Sequence, residues 1–162
     1  RCADAATPMT PENFLEMGPA ILARLREVLP PEVHVLSAAD LDAIAEADQP
    51  TPAVHVLFWD HSVGAVPNMP AVAPFTLTWL TVVVTRNVAD IEQGEYARQA
   101  AGPLATEVIS ALHRQTLSGP DGQPLKVGRL TPATPPIKSG YSAGRFYLPL
   151  AWDCQVKFVG QC

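Results

Sequence analysis

The stretch that decides the fold is residues 145–158, RFYLPLAWDCQVKF, in which every second side chain is apolar. The apolar set is Phe146, Leu148, Leu150, Trp152, Cys154, Val156 and Phe158. Because side chains alternate between the two faces of a strand, this spacing predicts a long β-strand with one buried face and one polar face. Pro149 cannot donate a ladder hydrogen bond, so we expect this strand to lie at a sheet edge or to bulge there.

A second strong strand is predicted at residues 75–86, FTLTWLTVVVTR. Its centre is apolar at consecutive positions, as expected for a strand that is covered on both faces. The second cover is either a helix or another subunit. Further β-favouring runs lie at residues 33–36, 53–59 and 125–130. Residues 61–74 and 131–144 are rich in Pro and Gly, which predicts an irregular loop or hairpin tip for the first and an exposed loop for the second.

Two main helices are predicted at residues 11–29 and 89–116, where apolar side chains recur at helical spacing. A short helix is expected at 39–47. Gly18–Pro19 either kinks the first helix or divides it, and Gly102–Pro103 predicts a kink in the second. The order of segments predicts an α+β fold with a mixed, mainly antiparallel sheet and the two main helices packed on one face.

Composition limits the function classes. The chain has 162 residues, 17% of them charged, with a net charge of −5, which is typical of a globular protein. We expect a flexible extension at residues 1–9 and a single domain over 10–162. The apolar runs are far shorter than the ~20 residues that span a membrane. The basic residues are scattered, which disfavours tight nucleic-acid binding.

No catalytic or cofactor motif is present. The sequence contains neither a G-x-S-x-G elbow nor a glycine-rich phosphate loop, and its three cysteines lack C-x-x-C spacing. Cys154 is expected to be a buried apolar residue. His55 and His61 would share a face of a regular strand but lie roughly 20 Å apart, too far to share an ion. We therefore predict no catalytic, cofactor or metal site, and no enzyme.

The arrangement of elements carries a family resemblance. The segments concerned are ILARLREVLP at 21–30, TPAVHVLF at 51–58, LTWLTVVVTR at 77–86, the helix at 96–113 and the closing strand at 145–158. In this order they resemble the phage tail-terminator or minor tail protein family of Mu-like and lambda-like phages. The likeness covers most of the chain.

The resemblance implies a homo-oligomeric ring, typically a hexamer, at the head–tail junction of the virion. Such a ring would be assembled in the host cytoplasm, stop the growth of the tail tube and bind the tube protein and a head-completion or connector protein. DNA would pass through its channel without specific binding, and neither a cofactor nor a membrane would be involved. The alternatives are another head–tail joining or tail-completion subunit, or a small hydrolase or metal-dependent enzyme.

Surplus apolar surface on the predicted sheet indicates protein–protein contact. We expect the contacts on the face of strand 75–86 and in the loops 61–74 and 131–144. The candidate contact residues are Trp59, His61, Asn68, Met69, Leu80, Val82, Val84, Lys138, Tyr141 and Arg145.

Overall fold

The computed structural model describes residues 10–45, 49–66, 71–89 and 94–160. The elements in this part of the chain are α1 (Met17–Val28), β1 (His34–Ser37), α2 (Leu41–Ala45), β2 (Ala53–Val63), β3 (Val72–Arg86), α3 (Glu95–Leu112), β4 (Thr131–Ala133), β5 (Gly140–Ser142) and β6 (Arg145–Val159). None of these helices combines the length and apolarity that a membrane-spanning helix requires.

The strands form one sheet in the order β1-β2-β3-β6-β4, and β5 also pairs with β6. Only the pairing of β1 with β2 is parallel, so the prediction of a mixed, mainly antiparallel sheet is confirmed. The central pair is β3 with β6, which are in register from Val72 opposite Val159 to Arg86 opposite Arg145. The predicted alternation of β6 is present, since Trp152, Cys154 and Val156 all lie in the same core.

The sheet separates two apolar cores. On the helix side, α1 and α3 pack over side chains such as Leu77 and Val83, which confirms that the two main helices share one face. On the other side, Ile44 of α2 packs in a smaller core together with Leu80, Val82 and Val84 of β3. The second cover of the central strand is therefore a short helix of the same chain, assisted by residues 133–137.

The helix boundaries differ from the predicted ones. Helix α1 begins at Met17, not at residue 11, and Pro19 lies in its first turn without dividing it. A proline is tolerated there because the first backbone N–H groups of a helix have no intrahelical partner. Pro103 lies inside α3, which continues through it but is shorter than the predicted 89–116. Helix α2 begins at Leu41, two residues after its predicted start, and its predicted end falls in residues 46–48, outside the described part of the chain.

The strands also depart from expectation. β2 and β3 extend into the segment 61–74, where an irregular loop or a hairpin tip was predicted, so residues 61–63 and 72–74 belong to the arms of a hairpin. Residues 125–130 are not a strand, and the predicted loop 131–144 contains both β4 and β5.

Pro149 was expected to mark an edge or a bulge, but β6 has neighbours on both sides. β4 pairs with residues 151–153 and β5 with residues 145–147, so Pro149 lies in the gap between them. No backbone donor is needed on that side of the strand, and the proline is accommodated inside a long interior strand.

Helix α1 approaches the sheet closely at Gly18. A Cβ atom built on Gly18 would lie 2.7 Å from Cη2 of Trp79, because the indole ring lies against the helix backbone. On the same side of the sheet, the Trp152 indole N–H donates a hydrogen bond of 3.0 Å to the Thr81 hydroxyl. The indole ring of Trp79 therefore limits how closely the helix can approach the sheet and leaves no room for a side chain at residue 18.

This close approach predicts that Gly18→Ala destabilises the protein by about 1–3 kcal/mol, the usual cost of overpacking. Gly102→Ala is the matched control, since Gly102 also precedes a proline within a helix but has open space around it. Both substitutions share the penalty for a non-glycine residue before proline, so the difference between their free energies of unfolding isolates the contact with Trp79. Urea unfolding of the two variants measures this difference, and equal stabilities would refute the packing argument.

Candidate functional site

The sheet is longer than the helices that cover it. β3 and β6 each contain 15 residues, which corresponds to about 50 Å of strand. The 18 residues of α3 span only about 27 Å. The end of the sheet at the β2–β3 hairpin is what we call the hairpin end. It comprises residues 59–66, 72–76 and 155–159, and of these Val156 still packs in the helix-side core. Every residue of the chain from 59 to 66 is exposed.

A β-bulge at Trp59 leads into the hairpin end. Phe58 lies opposite Trp79 and Asp60 lies opposite Thr78, so Trp59 is an additional residue without a partner on β3. Its side chain is 37% exposed.

The bulge changes which residues of β2 face the helices. Before it, His55 points into the side of the sheet that α2 covers, while after it His61 points to the helix side and contacts the ring of Phe14. The expectation that His55 and His61 share a face is therefore wrong. In the described ranges, no group of three His, Cys, Asp or Glu side chains could hold a metal ion.

Four aromatic rings cluster on the helix side of the hairpin end. Phe14, from the segment before α1, lies 5.6 Å from Phe75, 5.7 Å from Phe158 and 5.7 Å from His61, measured between ring centroids. The contacts with Phe75 and His61 are edge-to-face, an arrangement that aromatic quadrupoles favour. The cluster closes one end of the core while remaining partly open to solvent.

Next to these rings is an open groove of about 590 Å³. It is lined by Phe14, Val66, Ala71, Val72, Ala73, Phe75, Phe158, Val159 and Gly160. None of these side chains is charged, and Val66 is 59% exposed. Exposed apolar surface of this kind is typical of protein–protein contact sites.

The opposite side of the sheet carries more polar side chains. The Thr78 hydroxyl donates a hydrogen bond of 2.7 Å to Oδ1 of Asp153, and Gln155 and Lys157 of β6 are exposed nearby on the same face. Val72, Pro74 and Val159 also lie on this face, so at the hairpin end it is mixed, whereas the aromatic cluster lies on the side of the main helices.

The structure divides the predicted contact residues among three places. Trp59 and His61 lie at the hairpin end, and Asn68 and Met69 fall outside the described residues. Leu80, Val82 and Val84 are at most 2% exposed, because α2 and residues 133–137 cover them. The face of β3 that was expected to meet a partner is thus part of the chain's own second core.

The remaining predicted residues lie near the other end of the sheet, where β5 pairs with the start of β6. Lys138 is exposed, and the ring of Tyr141 packs against Gly94, which has a φ of 68° and leaves no space for a Cβ atom. Arg145 is only 6% exposed and donates a hydrogen bond of 3.0 Å to the carbonyl of Gln49. About 45 Å of β6 separates this end from the hairpin end.

His55 and Arg145 lie close together in the interior. Burial lowers the pKa of His55, and the positive charge of Arg145 lowers it further, so the imidazole is neutral at pH 7. His55 is 2% exposed and cannot contact a partner in this fold.

Sequence reasoning missed Phe14, Phe75 and Phe158 as parts of a surface, because each fits the apolar pattern of its own element. The length of the predicted strand was the signal that could have revealed this surface. A strand over residues 145–158 extends further than a helix of the predicted size can cover.

The comparison with family models identifies one family. The profile described as "Phage tail terminator protein" matches residues 12–159. Among solved structures, the chain is similar to a chain from "Virion of native gene transfer agent (GTA) particle", with a TM-score of 0.51 and 14% sequence identity, covering 90% of this chain and 100% of that one. At this identity the structural likeness shows the fold. No curated protein matches the chain.

The packing of β6 predicts that Cys154 is unreactive in the native protein. Burial raises the pKa of its thiol to about 12, with a further contribution from the Asp153 carboxylate. The thiolate is the reactive form, so almost none is present at pH 8. In a Cys2→Ser/Cys162→Ser variant we expect a thiol reagent to label Cys154 only after unfolding. Rapid labelling of the folded variant would contradict the burial of β6.

Proposed function

Since the chain belongs to the phage tail terminator family, we propose that it forms a ring that caps the tail tube and joins it to the head-completion proteins. This family consists of structural tail proteins, so the chain is a structural protein of the phage tail and a component of the virion. The finer assignment, a closed hexamer that ends tube growth, is the proposal.

The observation that carries the proposal is the hairpin end. Its groove is uncharged, open and lined by apolar side chains, although the chain as a whole carries a net charge of −5. Burial of such a surface against another protein is favourable at about 25 cal/mol per Å² of apolar area. We assign the hairpin end, including Trp59 and His61, to contact with the last ring of the tail tube. Asn68 and Met69, which join the two arms in sequence, belong to the same assignment.

The other end of the sheet would then face the head-completion proteins. Lys138 is exposed there, and Tyr141 is half-buried on the short strand β5. Opposite ends of long strands suit a subunit that joins two different assemblies along one axis. The acidic balance of the chain supports a channel that DNA traverses without adhering, because like charges repel.

A ring of identical subunits predicts a defined oligomer. We expect native mass spectrometry of the concentrated protein, or of protein released from capped tubes, to show a hexamer. Cyclic rings use heterologous contacts, which close only at one subunit number. A monomer under both conditions would contradict the ring. A hexamer that binds the portal side but not tail tubes would favour another head–tail joining subunit.

The assignment of the hairpin end is tested by two matched valine substitutions. Val66→Asp places a charge in the groove and is expected to weaken binding to tail tubes at least ten-fold, since burying an unpaired carboxylate costs several kcal/mol. Val88→Asp is the control, because Val88 is 62% exposed, like Val66, but lies beyond Arg86 at the other end of β3.

Co-sedimentation with purified tail tubes measures the binding, and electron micrographs of the tubes show whether their tips are capped. If Val88→Asp lost tube binding while Val66→Asp retained it, the other end of the sheet, and not the hairpin end, would contact the tail tube. Equal binding by both variants would show that the hairpin end does not contact the tube.

A further inference from the structure

Charge is unevenly distributed along this acidic chain. Residues 113–130 contain three basic side chains, Arg114, Lys126 and Arg129, and one acidic side chain, Asp121, which gives +2. The rest of the chain then has 11 − 3 = 8 basic and 16 − 1 = 15 acidic residues, a net charge of −7. The segment 113–130, which we call the basic loop, is thus opposite in sign to the remainder.

The basic loop is folded back on itself and anchored on the helix side of the sheet. The backbone N–H of Arg114 donates to the carbonyl of Leu130 at 2.9 Å, and that of Leu125 donates to the carbonyl of Leu117 at 3.0 Å. These three leucines pack into the helix-side core, whereas Arg114, Lys126 and Arg129 are exposed.

The position of the basic loop relative to the sheet follows from a backbone contact. The N–H of Gly128 donates to the carbonyl of Gln155 on β6 at 2.7 Å. Because β6 and β4 stand at one side of the strand order, the basic loop lies at that edge of the sheet.

An acidic segment lies at the other edge. Residues 31–45 contain three acidic side chains and no lysine or arginine. All three, Glu32, Asp40 and Asp42, are exposed. This segment includes β1, the first strand of the sheet order, and α2, which covers the face opposite the main helices.

We propose that neighbouring copies contact each other head to tail, with the basic loop of one copy against the acidic segment of the next. The proposal rests on the proposed ring and adds its lateral interface. Copies with a net charge of −5 repel one another in most orientations, and this orientation brings opposite charges together. A patch that meets a different patch on the next copy is the geometry that a cyclic ring requires.

The experiment compares two double variants with the same net charge. Arg114→Glu/Arg129→Glu and Arg86→Glu/Arg98→Glu each change the charge by −4, from −5 to −9, at positions that are exposed in the structure. We expect the first pair to weaken self-association at least ten-fold, because like charges then face each other, and the second pair to have a much smaller effect. Sedimentation equilibrium measures the association, and circular dichroism melting checks that both variants fold.

A mixing experiment tests the pairing itself. Glu32→Lys/Asp42→Lys makes the acidic segment basic, so this variant alone is also expected to associate poorly. Both contact surfaces of this variant are basic, and both contact surfaces of Arg114→Glu/Arg129→Glu are acidic. When the two variants are mixed in equal amounts, we therefore expect rings in which they alternate. Alternation closes only in rings with an even number of subunits, as in a hexamer.

The outcomes separate this inference from the function it rests on. If Arg114→Glu/Arg129→Glu forms rings as well as the unaltered protein does, the proposed lateral interface is wrong, while the proposal of a ring still stands. Equal weakening by the two double variants would also overturn it, because net charge alone would then explain the effect. A failure of the mixture to form rings would overturn it as well, because surfaces of opposite charge would then fail to bind each other. An unaltered protein that never forms a ring would overturn the proposed function, and the inference with it.

Discussion

The pairing of β3 with β6 is the constraint on which the rest of the structure depends. Fifteen consecutive residue pairs make a ribbon of about 50 Å whose centre is apolar on both faces. Such a ribbon has to be covered twice, because exposed apolar surface is costly in water. The chain covers the first face with α1 and α3 and the second with the short helix α2. The length that none of these helices reaches becomes the exposed hairpin end.

Much of this fold could be predicted from local sequence. The alternation at 146–158 indicates both the strand and its buried face, because a period of two has only one explanation in a regular backbone. The ends of the helices were harder to predict, since the start of α1 depends on where in a helix Pro19 is tolerated. The bulge at Trp59 could not be predicted, because it is a relation between β2 and β3 and leaves no mark on β2 alone.

The surfaces that we propose as contacts were predictable only in part. Trp59 and His61 were named from sequence, but Leu80 was assigned to a surface that α2 covers, because an apolar strand face looks the same whether a helix or a subunit lies on it. Charge illustrates a different limit. The basic residues look scattered along the chain, and only the return of residues 113–130 along β6 shows that three of them share one edge of the sheet.

The bulge at Trp59 also has a consequence for the orientation of the hairpin. A regular strand with one additional residue would turn every later side chain to the other face, and His61 and Val63 would then point away from Phe14. The bulge takes up the additional residue at one position, so the side chains of both arms keep their orientation. The aromatic cluster around Phe14 therefore depends on how the backbone is arranged at residue 59, which lies outside the cluster itself.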